Sequence, residues 1–175
     1  MKLQIKSKVV SIHDKIDVLD ENENPVYHVH TKAVTIHDKT YIEDAAGNEV
    51  AYIHAKAVSI HHVYYVEMAN GETFELKESL KHIRDFVDIE PLGWQLRGDS
   101  ILEFNFQIYD ADGAVLASAH RKFVSIHGIY DMEIYDESKA DQIVAIFIIM
   151  KHIVENRAAA TSDAEVSLFN NLNQQ

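Results

Sequence analysis

The chain contains no cysteine. Disulfides, thiolate nucleophiles and zinc–thiolate sites are therefore excluded together, and a reducing compartment is compatible with the composition. Positive charge is scarce as well. Lys and Arg total 16 against 28 Asp and Glu, a formal charge of −12. Such a chain repels nucleic acid and anionic membranes at long range, although a local basic patch can still exist. The first residues, Met1-Lys2-Leu3-Gln4-Ile5-Lys6, lack the continuous apolar segment of a signal peptide, and the expected location is cytoplasmic. Enzyme signatures are also missing. There is no Gly-x-Ser-x-Gly, no phosphate-binding glycine loop and no His-Glu-x-x-His. The expectation is a protein without catalytic residues and without a cofactor. With 28 acidic residues some carboxylates approach each other by chance, so charge counting nominates no acid/base pair.

What the chain does have is repetition. Asp20 to His37, Asp44 to His61 and Asp110 to His127 each begin with an Asp that closes an alternating run, pass through a polar turn and end at a histidine after an apolar strand segment. All three end in His-x-Lys-x-Val-(Ser/Thr)-Ile-His. The spacing from Asp to Lys is 12 in all three, and a partial copy opens the chain at Lys8 to His13. Each copy is hairpin-sized, so the repetition describes how the chain is built. The total of 175 residues suits one domain, expected over residues 1–157.

Alternation with period two runs through the first three quarters. Tyr27 and Val29 alternate with His28 and His30, Tyr64 and Val66 with Tyr65 and Glu67, and Phe104, Phe106 and Ile108 with Asn105, Gln107 and Tyr109. This is the pattern of half-buried strands. Asn-, Gly-, Asp- and Pro-rich breaks at 21–25, 45–48, 70–71 and 110–113 supply the turns. The spacing predicts about ten to twelve short strands, mostly antiparallel because the connections are short. Tyr27 and Val29 are odd-numbered whereas Val34 and Ile36 are even, and Ile53 is odd whereas Val58 and Ile60 are even. If both sets face the core, each strand bulges near its His-x-Lys step, as a closing sheet requires.

The segment 138–157 breaks the pattern. Ser138 is the expected N-cap with Asp141 three residues on, Asp136 and Glu137 suit the helix start, and Arg157 suits its end. Ile143 to Met150 are apolar without interruption, so the predicted helix is apolar around its whole circumference and belongs inside something. The run falls short of the roughly 20 apolar residues of a bilayer span. Helix and strands explain each other. A barrel of ~12 strands tilted ~40° has a radius of ~12 Å, and once wall side chains are subtracted its lumen matches the ~10 Å width of a helix. The expected fold is mainly β, a closed antiparallel barrel around one central hydrophobic C-terminal α-helix. Residues 158–175 form a polar tail in which Val166, Leu168, Phe169 and Leu172 are the material for a short docking helix.

The run Ile42-Glu43-Asp44-Ala45-Ala46-Gly47-Asn48-Glu49-Val50-Ala51-Tyr52-Ile53, the following Lys56-Ala57-Val58-Ser59-Ile60, and the late apolar helix resemble the LURP-one-related family of the tubby-like superfamily. The likeness extends over roughly residues 1–157. It implies a twelve-stranded barrel wound around a hydrophobic helix, and it does not imply an enzyme. Tubby domains bind phosphoinositides and related scramblase-like proteins act at membranes. No phosphoinositide-binding motif can be placed on residues of this chain, so that activity is not carried over.

Three sets of residues are candidates for binding. His28 and His30, two apart on one strand, project from one face and could hold Zn, Cu or Ni if Asp20 or Glu21 completed the site. The plain alternative is exposed strand residues opposite Tyr27 and Val29. Lys8, Lys32, Lys56 and Lys122 are equivalent by repeat, with Arg121 beside the last, and would form a basic rim able to hold an anionic headgroup. Their plain alternative is lysines guarding a sheet edge. His13, His37, His61 and His127 close the repeated strands and are either polar strand ends or an imidazole ring charging below about pH 6.5. Trp94 is expected in the core or at a barrel end. The expected function is a non-catalytic barrel that binds a protein partner or small amphipathic ligand, with peripheral phospholipid binding and divalent-metal binding as alternatives.

Overall fold

The computed structural model describes residues 1–6, 15–32, 39–58, 61–77, 86–100, 104–122 and 129–154. Twelve strands are formed: β1 (Lys2–Lys6), β2 (Lys15–Leu19), β3 (Pro25–Lys32), β4 (Lys39–Asp44), β5 (Glu49–Val58), β6 (His61–Met68), β7 (Thr73–Lys77), β8 (Phe86–Glu90), β9 (Trp94–Ser100), β10 (Asn105–Tyr109), β11 (Val115–Lys122) and β12 (Ile129–Ile134). Each pairs with its sequence neighbours, and β1 pairs with β12 to close the barrel. Every pairing is antiparallel. Among the described residues, closure leaves no unpaired sheet edge.

The alternation read from the sequence sets the two faces. Tyr27, Val29, Ile42, Ile53, Tyr64, Val66, Phe106 and Ile108 are buried in the lumen. Trp94 joins them at 7% exposure, in the core as expected. Their neighbours in sequence lie on the outer wall.

The strands reverse at a recurring turn. Asp20 Oδ1 accepts from the Asn22 and Asn24 amides, and Asn24 Nδ2 donates to Asp20 Oδ2. Asp44 makes the same set with Ala46 and Asn48, and Asp110 bonds the Asp112 and Ala114 amides. Each turn needs one residue in the left-handed region. Gly47 (φ 84°) and Gly113 (φ 85°) provide it in two copies, but the first uses Glu23 (φ 64°). This extra residue inserts a bulge where the strands leave the turn. The register accordingly shifts between Val18 and Leu19, Ile42 and Glu43, and Ile108 and Tyr109. The bulges expected at the His-x-Lys steps are absent from the described pairing. β3 pairs β4 without a break from Tyr27 to Lys32, and β5 pairs β6 without a break from Ala51 to Val58. Val34 and Ile36, which suggested the change of phase, lie outside the described residues.

Helix α1 occupies 140–154 as described, following a 3-10 turn at Glu137–Lys139. From Ile143 to Met150 no residue exceeds 1% exposure. Phe147 meets the ring of Phe104 edge-on at 4.8 Å between centroids, and Phe104 in turn packs on Phe106 and Tyr130. Phe104 adopts φ 65°, a conformation costly for a bulky side chain, and its ring is fully buried. The expected cap is displaced. Asp136, not Ser138, caps the 3-10 turn, accepting from the Ser138 amide at 3.1 Å and its hydroxyl at 2.6 Å. Asp141 instead accepts from Tyr27 Oη at 2.8 Å, and Gln142 donates to Glu72 at 2.7 Å. These contacts tie the start of the helix to the barrel wall because its first turn lies level with the Asp-turn rim.

Candidate binding surfaces

An up-and-down barrel sends all odd-numbered strands in one direction. The Asp turns and the start of α1 therefore mark one rim, and the carboxyl ends of β1, β3, β5 and β11 mark the other. Lys32 and Lys122 are the last residues of β3 and β11, and Lys56 lies near the end of β5. The topology thus brings three of the four repeat lysines to one rim; Lys8 lies outside the described residues, as do His13, His37 and His127. His61 opens β6 at the same rim. Lys122 pairs with Asp131 on the neighbouring β12. Partial burial pulls the Asp131 carboxyl upward, but hydrogen bonds from Lys122 and Gln4, with the charges of Lys122 and His120, hold it below the ordinary carboxylate value. Arg121 Cζ lies 5.7 Å from the centre of the Tyr130 ring.

α1 carries its polar end toward the Lys rim. Lys151 is buried at 3% exposure, and the next residue, His152, is half-buried. Desolvation, with a smaller contribution from the Lys151 charge, pushes the His152 imidazole down to about 4. His152 is therefore neutral at physiological pH.

The outer wall carries a different pattern. His28 and His30 share the outer face of β3 but turn to opposite neighbours. His28 Nδ1 lies 2.7 Å from Asp17 on β2, and His30 Nε2 lies 3.3 Å from Glu43 on β4. The carboxylate beside His28 is Asp17, whereas Asp20 is engaged in its own turn. Among the described residues no group of three or more His, Asp or Glu side chains is arranged to hold a metal ion.

Sequence reasoning missed a ladder of rings across β4, β5 and β6. Tyr41 and Tyr52 lie 5.0 Å apart, Tyr52 and His54 5.4 Å, and His54 and Tyr65 5.3 Å, the last two pairs stacked. The signal was present in the alternation, since Tyr52, His54 and Tyr65 all fall out of phase with the lumen residues. Beside the ladder is a cleft of ≈ 510 Å³ bordered by His54, Tyr65, Glu67, Glu75, Glu90 and Pro91. His54 Nδ1 is buried there without a hydrogen bond, its nearest Glu67 oxygen being 3.9 Å away.

Twelve antiparallel strands closed around one buried hydrophobic helix define the tubby-like class of barrels. Within that class the chain belongs to the LURP-one-related family, whose model matches residues 1–151. An X-ray structure of a protein from Arabidopsis thaliana superposes with a TM-score of 0.55 at 17% identity, covering 87% of this chain and 91% of that one. At that identity the likeness concerns the fold. No curated protein matches the chain by sequence. Among the described residues no helix is long and apolar enough to cross a membrane.

Proposed function

We propose that this barrel is a non-catalytic binding module that engages a protein partner or a small amphipathic ligand on its outer surface. The observation that carries this reading is the occupied lumen. Ile143 to Met150 are all at or below 1% exposure, so the helix takes the space in which an empty barrel of this size would hold a ligand. Binding is then left to the wall and the rims. A photo-crosslinker at Tyr52 on the wall, compared with one at Lys122 on the rim, tests the proposal in cells. Protein adducts from the wall position are expected. Solvent extraction of the purified protein identifies an amphipathic ligand directly if one is bound. Adducts confined to the rim, with no extractable ligand, would overturn the reading.

A second reading has an observation of its own. The topology gathers Lys32, Lys56 and Lys122 at one rim, where they could meet an anionic phospholipid surface against the net charge of −12. Absence of pelleting with anionic vesicles at low salt ends it. Divalent-metal binding through His28 and His30 is tested by calorimetry with zinc and nickel; identical titrations of wild type and His28→Ala dismiss it.

A further inference from the structure

We propose that Tyr41 and Tyr52 form an oxidative cross-linking site, at which one-electron oxidation joins β4 to β5 through a dityrosine bond. The site is independent of what the barrel binds. The two residues stand directly opposite each other on the outer wall, inside the unshifted stretch of the β4–β5 register from Lys39 to Ile42. Their ring centroids are 5.0 Å apart and the planes are tilted by 34°. Two rings joined by a single bond lie only slightly closer, so coupling needs a small side-chain rotation and no movement of the strands. Both residues are half-buried, which leaves them open to an oxidant while strand pairing holds them together. The surrounding charge favours loss of an electron. Glu67 stands opposite Tyr52 in the β5–β6 register, and Glu43 lies two residues beyond Tyr41 on the same face of β4. Negative charge nearby stabilises the electron-deficient ring that oxidation leaves. The other tyrosines are placed differently. Tyr27, Tyr64 and Tyr130 are buried in the lumen. Arg97 Cζ lies 4.8 Å over the Tyr109 ring, and a cation there opposes oxidation. His54 stands between Tyr52 and Tyr65, its ring stacked on both. Tyr135, 52% exposed, is open to a second molecule. In the reaction each phenol gives up one electron and its hydroxyl proton. The two phenoxyl radicals couple between ring carbons ortho to oxygen, and the hydrogens displaced from those carbons return to the oxygens. The pair thus loses two electrons and two protons. The oxidant is hydrogen peroxide acting through a haem peroxidase, one peroxide being reduced to two waters. The new bond closes the chain across the Asp44 turn and restricts the unfolded state as a disulfide would.

The test treats the dilute full chain with a haem peroxidase and hydrogen peroxide and reads the monomer by dityrosine fluorescence and intact mass. N-acetyltyrosine coupled under the same conditions confirms that the oxidant works. The monomer is expected to gain dityrosine emission and to lose two hydrogen atoms. Both tyrosines fall in the tryptic peptide 40–56, so the mass loss is expected there. Cleavage after Glu43 and Glu49 should then leave two pieces still joined. Tyr41→Phe and Tyr52→Phe keep the ring and remove the phenol, and each is expected to abolish the loss in the monomer. Tyr65→Phe and Tyr135→Phe are expected to retain it, and thermal melts confirm that all four variants fold. The cross-linked monomer is expected to unfold at higher urea than the untreated chain. Dityrosine confined to dimers, a two-hydrogen loss that survives Tyr41→Phe, or no loss in peptide 40–56 while N-acetyltyrosine couples would each overturn the assignment.

Discussion

His152 makes stability depend on pH in a window set by burial. Its imidazole is held down to about 4 in the folded chain, against 6.5 when free. The unfolded chain therefore takes up a proton first as pH falls below 6.5, while the folded chain stays neutral until about 4. Because the unfolded state binds more protons in that interval, stability is complete above it and is lost as pH falls through it. The full difference is about 3 kcal/mol at 1.36 kcal/mol per pKa unit, and about 2 kcal/mol of it is gone by pH 5. With a urea m-value of about 2 kcal/mol/M, the midpoint drops by about 1 M between pH 7.5 and pH 5. Urea denaturation followed by circular dichroism measures this directly. The comparison is with His152→Leu, which removes the titrating group and keeps an apolar side chain at the position. The chain has 11 histidines, so the quantity that matters is the difference between the two pH profiles. The carboxylates of Asp20, Asp44, Asp131 and Asp136 are lowered from 3.8 and act below the window, so they do not enter it. Parallel profiles for wild type and variant would refute the placement of His152 in a desolvated helix end.

Gly98→Ala is expected to destabilise the barrel by about 2–3 kcal/mol, measured by urea denaturation. A Cβ there would meet the Asn105 carbonyl oxygen and lie 2.8 Å from Phe106 Cα, and these backbone atoms cannot withdraw without opening the β9–β10 pair. Glu23→Gly should raise stability by up to about 1 kcal/mol, because Glu23 holds φ 64° where the equivalent turns use glycine; an unchanged or lower melting temperature would argue that the Glu23 side chain offsets its own strain. Ile146→Asp places an unpaired carboxylate at a position with 0% exposure and should abolish folding. A soluble variant that melts cooperatively would overturn the buried-helix account.

The parts of this fold that can be read from the sequence are those decided by one residue and its near neighbours. Ile143 to Met150 forbid a solvated helix wherever they lie, and Tyr64 and Val66 identify the lumen face of β6 without reference to any other strand. The parts that could not be read depend on register, which is decided by the turns. The pairing Leu19↔Pro25, continued without a bulge, would set His28 opposite Ile16; the shift between Val18 and Leu19 sets it opposite Asp17 instead. A single inserted residue thus chooses the histidine's carboxylate, and the choice is made at Glu23, five residues away in the chain, by a left-handed φ that Glu does not advertise. The ring ladder has the same origin. Alternation places Tyr52, His54 and Tyr65 on the outer face, but their stacking requires His54 opposite Tyr65 and Tyr52 opposite Tyr41, two registers fixed on either side of β5. Any change in the Asp44 turn that moved the β4–β5 register by one residue would separate Tyr41 from Tyr52 and leave His54 stacked on Tyr65. The ring ladder on the wall is therefore a property of the turns at one rim as much as of the rings themselves.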